Sequence, residues 1–131
     1  MTPNHERGPR RRVLVVDDES DFLASYERLL RRQGYEVIAV SSRAAGLAAM
    51  AAEFPHLVIS DVRLPDGDGL DIVRAARSAL VPVPAIVVTG YPSDAARRAA
   101  LAAGASAFLT KPFVAAGLLA AVHASFGDDP R

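Results

Sequence analysis

Five polar side chains stand directly after runs of apolar residues. Asp17 and Asp18 follow Val13-Leu14-Val15-Val16, and Asp61 follows Leu57-Val58-Ile59-Ser60. Thr89 follows Ala85-Ile86-Val87-Val88, and Lys111, followed by Pro112, comes after Ala107-Phe108-Leu109-Thr110. Three carboxylates brought together repel, and a hard divalent cation relieves the repulsion. Magnesium suits such a set, because it takes oxygen ligands and accepts one or two carboxylates, a backbone carbonyl and several waters. Asp61 is the best nucleophile among them, since a carboxylate can form an aspartyl phosphate. Thr89 offers a hydroxyl and Lys111 a compact positive charge to phosphate oxygens. Together they suit in-line transfer of a phosphoryl group, which needs mainly positioning and charge neutralisation.

Positioning these groups requires five strands, each followed by a helix. The apolar runs are short and β-branched, as expected of strands buried on both faces. Glu36-Val37-Ile38-Ala39-Val40 supplies the fifth strand, second in chain order. Five helical stretches alternate with the strands. Phe22, Leu23, Tyr26, Leu29 and Leu30 form one stripe, ending near Gly34, with Ser20 or Asp21 as its cap. Ser41 or Ser42 caps a helix carrying Leu47, Met50, Ala51 and Phe54, stopped by Pro55. After a loop at residues 63–69, Leu70, Val73, Ala76 and Leu80 mark a third helix, broken by Val81-Pro82-Val83-Pro84. Ser93 or Asp94 caps an alanine-rich fourth helix that closes at Gly104. The fifth places Val114, Leu118, Val122 and Phe126 at spacings of four, before Gly127.

Strand–helix alternation favours right-handed parallel crossovers, and so a (βα)5 three-layer α/β sandwich of flavodoxin-like type. Ligands of open parallel sheets bind beyond the carboxyl ends of the strands, where the winding reverses. With strand order 2-1-3-4-5, Asp17, Asp18 and Asp61 converge on one pocket, and Thr89 and Lys111 form its far wall.

Composition agrees with a single domain. The 131 residues carry 15 basic and 15 acidic side chains, for net charge zero, and half are hydrophobic. Disorder is therefore disfavoured, and no broad case for nucleic-acid binding arises. Absence of cysteine excludes disulfides, thiol nucleophiles and cysteine-ligated zinc. No apolar run approaches the roughly 20 residues of a membrane span, and a cytoplasmic location is expected. Residues 1–10 read as a flexible basic lead-in, 11–127 as the domain, and 128–131 as a tail or the start of a linker. His5, His56 and His123 are scattered and read as structural or solvated. Asp66, Asp68 and Asp71 read as loop and helix-N-terminus acids. Fourteen of the cationic residues are arginines, and Lys111 is the only lysine.

The ordered set Asp17-Asp18, Asp61 with Leu64-Pro65-Asp66-Gly67-Asp68-Gly69 behind it, Thr89 and Lys111-Pro112 resembles the receiver domain of two-component response regulators, of the chemotaxis-regulator-like superfamily. The resemblance implies that Asp61 accepts a phosphoryl group from a sensor histidine kinase or a histidine phosphotransfer protein. It implies Mg²⁺ held by Asp17, Asp18, Asp61 and the backbone carbonyl of Arg63. Thr89 and Lys111 then contact the acyl phosphate, and Thr89 and Phe108 act as the switch pair. The Lys111–Pro112 peptide is expected to be cis. Output runs through the fourth helix, fifth strand and fifth helix, with phosphorylation-dependent homodimerisation open. The domain is expected to phosphorylate itself with Mg²⁺ and to be a weak autophosphatase rather than a turnover enzyme. It is expected to touch neither nucleic acid nor membrane.

Arg63 and Tyr91 occupy the positions that tune dephosphorylation in that family. Neither is a water-orienting acid or amide, so slow autodephosphorylation is expected. Three rivals fit less well, one of them a receiver-like protein that signals by interaction without phosphorylation, which the full acceptor set disfavours. A haloacid-dehalogenase-like phosphatase needs a second Asp where Arg63 stands. A nucleotide-binding flavodoxin-like module needs a phosphate-cradling loop where the anion-repelling Asp17-Asp18-Glu19 stands.

Overall fold

The computed structural model describes residues 10–127. The expected lead-in, apart from Arg10, and the tail at 128–131 lie outside the described residues. Strands β1 (Arg12–Val16), β2 (Glu36–Val40), β3 (Leu57–Asp61), β6 (Ala85–Thr89) and β7 (Ala107–Thr110) form one sheet. Helices α1 (Ser20–Arg32), α2 (Arg43–Glu53), α3 (Leu70–Arg77), α4 (Asp94–Ala103) and α5 (Ala115–Ser125) alternate with them. All four pairings in this sheet are parallel, and its order is β2-β1-β3-β6-β7. This is the expected 2-1-3-4-5, once two short strands, β4 (Arg63–Leu64) and β5 (Gly67–Asp68), are counted between β3 and α3.

Alternation along the strands builds two cores. Val13, Val15, Leu57, Ile59, Ile86 and Val88 pack with Tyr26 and Leu30 of α1 and Leu118 and Val122 of α5. Leu14, Val16, Val58 and Val87 point the other way, onto Ala49 of α2, Ile72, Val73 and Ala76 of α3, and Ala100 of α4. Each strand side chain faces one helical layer because successive residues point to opposite faces. Complete burial of a Leu or Ile here stabilises the fold by about 1.5–3 kcal/mol. Both cores pack against the strands whose C-terminal ends carry the candidate residues.

Local expectations are corrected at five places. The third helix ends at Arg77, and Leu80 is fully exposed rather than on its buried stripe. The Val83 N–H returns to the Ala76 carbonyl, and Pro82 and Pro84 forbid continued helix. Phe54 is also exposed, because it ends α2 with a left-handed backbone (φ 51°) just before Pro55. Val114 precedes α5 as its N-cap and is exposed. The 63–69 loop contains the antiparallel β4–β5 hairpin, anchored by buried Leu64. Finally, α1 has Glu19 as N-cap, not Ser20 or Asp21, and no side chain caps it. Ser42 and Ser93 do cap α2 and α4, accepting from the Ala45 and Ala96 N–H groups.

Candidate functional site

The ends of β1 and β3 are adjacent, with Val16 opposite Ser60. One carboxylate oxygen each from Asp17, Asp18, Glu19 and Asp61 therefore falls within a 4.8 Å cluster. Asp17 is completely buried and Asp61 nearly so, whereas Asp18 and Glu19 are exposed. Lys111, from the turn after β7, reaches into this cluster. Its Nζ donates to Asp61 Oδ2 at 2.7 Å and to Glu19 Oε1 at 2.8 Å. It also lies 2.8 Å from Asp17 Oδ2 as an ion pair, and 4.4 Å above the Phe22 ring. Lys111 thus sits among the carboxylates rather than across a pocket from them. The Lys111–Pro112 peptide is cis.

Backbone donors fix the acids. Asp17 Oδ1 accepts from the Glu19 N–H at 2.9 Å, and Asp61 Oδ1 from the Arg63 N–H at 3.2 Å. Asp17 Oδ2 is buried, and its counter-ion is the Lys111 ammonium 2.8 Å away. Four carboxylate oxygens gathered this closely, two of the residues buried, form an oxygen-donor set that fits a hard divalent cation such as Mg²⁺. Burial pushes the Asp17 carboxyl above its ordinary range, against the pull of Lys111. Burial alone would depress the Lys111 ammonium, but hydrogen bonding and charge from Asp17, Asp61 and Glu19 outweigh it and hold the pKa high. Lys111 is therefore a fixed cation at neutral pH.

Thr89 ends β6 and is buried, and its Oγ1 accepts from the Tyr91 N–H at 3.0 Å. The Lys111 N–H donates to the Thr89 carbonyl at 2.8 Å, so backbone links the two strand ends. The Thr89 side chain makes no hydrogen bond to the acidic cluster. Phe108, half-buried on β7 opposite Val87, packs against the core that also holds Ala100. Above the pocket, the Arg63 guanidinium lies 4.0 Å over the exposed Tyr91 ring. His56 is structural, its Nδ1 accepting from the Arg12 N–H.

Two contributors escaped the sequence reading. In the sequence Glu19 is simply the third acid of the run Asp17-Asp18-Glu19, and that adjacency is its one visible signal. Gly69 was read as a turn glycine. Its φ is an ordinary −64°, but a Cβ there would lie 1.8 Å from the Asp61 carbonyl oxygen. Asp66 and Asp71 act away from the pocket. Asp66 accepts from the Arg43 and Ala44 N–H groups at the start of α2, and Asp71 pairs with Arg43 and Arg74.

Fold and pocket together define a flavodoxin-like α/β protein with an acidic, lysine-bearing site at the C-terminal edge of its sheet. Residues 13–123 match the response regulator receiver domain family, and the chain belongs to it. It is 43% identical over 113 residues to the transcriptional regulatory protein PrrA of Mycobacterium tuberculosis, an alignment spanning 86% of this chain and 48% of PrrA. The chain thus spans about half the length of that relative. A response regulator receiver domain protein from Methanospirillum hungatei has TM-score 0.85 and 33% identity, covering 91% of this chain and 95% of that one. A response regulator from Burkholderia pseudomallei, solved with a phosphorylated aspartic acid, calcium ion and citrate, has TM-score 0.79 and 29% identity, covering 89% and 70%. Among the described residues, no helix is long and apolar enough to cross a membrane.

Proposed function

We propose that Asp61 is the phosphoacceptor of this receiver domain. The observation that carries the reading is the placement of Asp61 Oδ2, 2.7 Å from the only lysine and inside a four-carboxylate cluster. An Asp61 oxygen bonds to the phosphorus of a phosphohistidine, the P–N bond breaks, and the imidazole leaves and takes a proton. Lys111 offsets charge on the transferring group, and Thr89 is the hydroxyl that turns from the Tyr91 N–H toward it.

Asp17, Asp18, Asp61 and the Arg63 carbonyl would hold Mg²⁺. Bound there, the ion supplies neutralisation of the carboxylates and of the phosphoryl oxygens. Phosphorylation then biases the Thr89 loop and Phe108 between two arrangements, and α4, β7 and α5 carry the output. Only Ala100 of α4 is fully buried, which suits a movable element. The donor is a sensor histidine kinase or a histidine phosphotransfer protein, and a phosphorylation-dependent homodimer remains in the same reading. The domain, bounded at 11–127, acts in the cytoplasm as a self-phosphorylating acceptor with weak autophosphatase activity. Any DNA-binding output belongs to sequence other than this domain.

Intact-mass measurement after incubation with acetyl phosphate and Mg²⁺ tests the proposal. One phosphoryl group is expected on the natural chain and none on Asp61→Asn. Equal phosphorylation of the two would overturn the assignment.

A further inference from the structure

Lys111 Nζ lies within 2.8 Å of three carboxylates. Asp61 and Glu19 accept hydrogen bonds, and Asp17 Oδ2 is 2.8 Å away. An ammonium has three donors, so contact with a phosphoryl oxygen requires one partner to let go. Asp17 and Asp61 are buried and tied through their second oxygens to the Glu19 and Arg63 N–H groups. The Glu19 side chain is 57% exposed. Water can replace Lys111 there and nowhere else in the set.

A second observation points to the same residue. Glu19 is the N-cap of α1, a place where Ser, Thr, Asp or Asn normally satisfies the helix N–H groups. Its side chain makes no cap bond and instead crosses 92 residues of sequence to reach Lys111. The residue type forgoes the local role for the remote one.

We propose that Glu19 is a positioning residue for phosphoryl uptake. It holds the Lys111 ammonium at the mouth of the pocket in the unphosphorylated chain and yields it to the incoming phosphoryl group. This rests on the reading of Asp61 as acceptor. Glu19 is then an anionic stand-in for a phosphoryl oxygen and competes with it. With acetyl phosphate, an Asp61 oxygen bonds to phosphorus, the bond from phosphorus to the acetyl oxygen breaks, and acetate leaves with the electron pair. Glu19→Gln keeps the shape but removes the competing charge. Phosphorylation should then be roughly three- to tenfold faster, the scale expected when one charge near a partly exposed site is neutralised. The gain should shrink as salt screens the mouth of the pocket.

The lone lysine makes the test direct. Selective ¹⁵N-lysine labelling gives a single side-chain ammonium resonance. In the unphosphorylated chain, Glu19→Gln should shift it. After phosphorylation by acetyl phosphate at saturating Mg²⁺, the two proteins should give coincident signals, and the variant should have reached that state faster. A variant that is phosphorylated at the natural rate or slower overturns the role of Glu19. So does an Nζ difference between the two proteins that persists unchanged after phosphorylation. Absence of any phosphoryl mass gain in the natural chain overturns the acceptor assignment, and the Glu19 inference with it.

Discussion

Replacing Gly69 by alanine should be among the most damaging single-methyl changes in the molecule. The backbone at Gly69 has φ −64° and ψ −19°, which alanine adopts freely, and Gly69 directly precedes α3. By backbone conformation alone, the change should be neutral or slightly stabilising. Packing decides otherwise. The added Cβ would meet the Asp61 carbonyl oxygen at 1.8 Å, the Asp61 carbonyl carbon at 2.9 Å and Ser60 Oγ at 3.0 Å. Real Cβ contacts essentially never fall under 3.0 Å, so the oxygen contact is short by at least 3.0 − 1.8 = 1.2 Å. Neither side yields easily. Asp61 ends β3, paired with β1 and β6 on either side. The Gly69 N–H is held by the Val62 carbonyl at 2.7 Å. Overpacking of this kind costs about 1–3 kcal/mol, and occasionally more where main chain must shift. A cost of about 3 kcal/mol would lower Tm by roughly 10 °C for a chain of this length. Relief of the clash displaces the Asp61 main chain, and if Asp61 is the acceptor as proposed, a shift of about 1 Å at a reacting group costs roughly a hundredfold in rate. Thermal denaturation and the rate of mass gain with acetyl phosphate read both consequences. A Gly69→Ala protein with natural Tm and natural phosphorylation would refute the close-approach argument and return Gly69 to a turn residue.

Three further outcomes are expected. Lys111→Arg should fold but phosphorylate and signal poorly, by roughly tenfold or more, because a planar fork replaces a compact ammonium among three carboxylates; intact phospho-dependent output would make the lone lysine a compositional accident. Phosphoryl loss, followed by phosphate release, should be slow in the natural chain and about two- to fivefold faster in Arg63→Ala, which removes an exposed cation–π contact worth roughly 0.5–1 kcal/mol. A natural phosphoryl lifetime of seconds would contradict this. The α2 N–H groups of Ala44 and Arg43 hold the Asp66 carboxyl below its ordinary 3.8. A folded-state pKa below the unfolded one means stability that is present above 3.8 and lost as pH falls through the lower, folded-state value. Asp66→Asn should therefore flatten that part of the acid limb in a Tm-versus-pH series, and an unchanged slope would remove Asp66 from the account.

Legibility in the sequence followed the range of the forces involved. Buried parallel strands announce themselves as apolar runs, so Leu57–Ser60 and Ala85–Val88 could be placed nearly to the residue. Polar residues immediately after such runs must then emerge at one sheet edge, which is why Asp17, Asp61, Thr89 and Lys111 were found together. Periodicity fails at helix ends, where one capping or proline interaction outweighs it. Leu80 and Phe54 continue their stripes on paper, yet both are exposed, because Pro82 and Pro55 redirect the chain. The β4–β5 hairpin was missed for a related reason: two-residue strands carry no period at all.

What sequence could not show is which side chains meet across the pocket. The Asp17-Asp18-Glu19 run looks like three equivalent acids, and the fold makes them unequal. Asp17, the first residue after β1, is buried against the Lys111 ammonium, Asp18 is exposed, and Glu19 reaches back to Lys111. Burial raises the cost of the Asp17 charge, and the ammonium 2.8 Å away offsets part of it. Lys111 is the structural counter-ion of the resting site, and on the proposed function it is also the group reserved for the phosphoryl oxygens. The two roles compete, because the ammonium has three donors and three carboxylates lie within 2.8 Å of it. An incoming phosphoryl group must consequently repartition the ammonium between the acids and itself. On that reading, the exchange couples chemistry at Asp61 to the turn after β7 that carries Lys111.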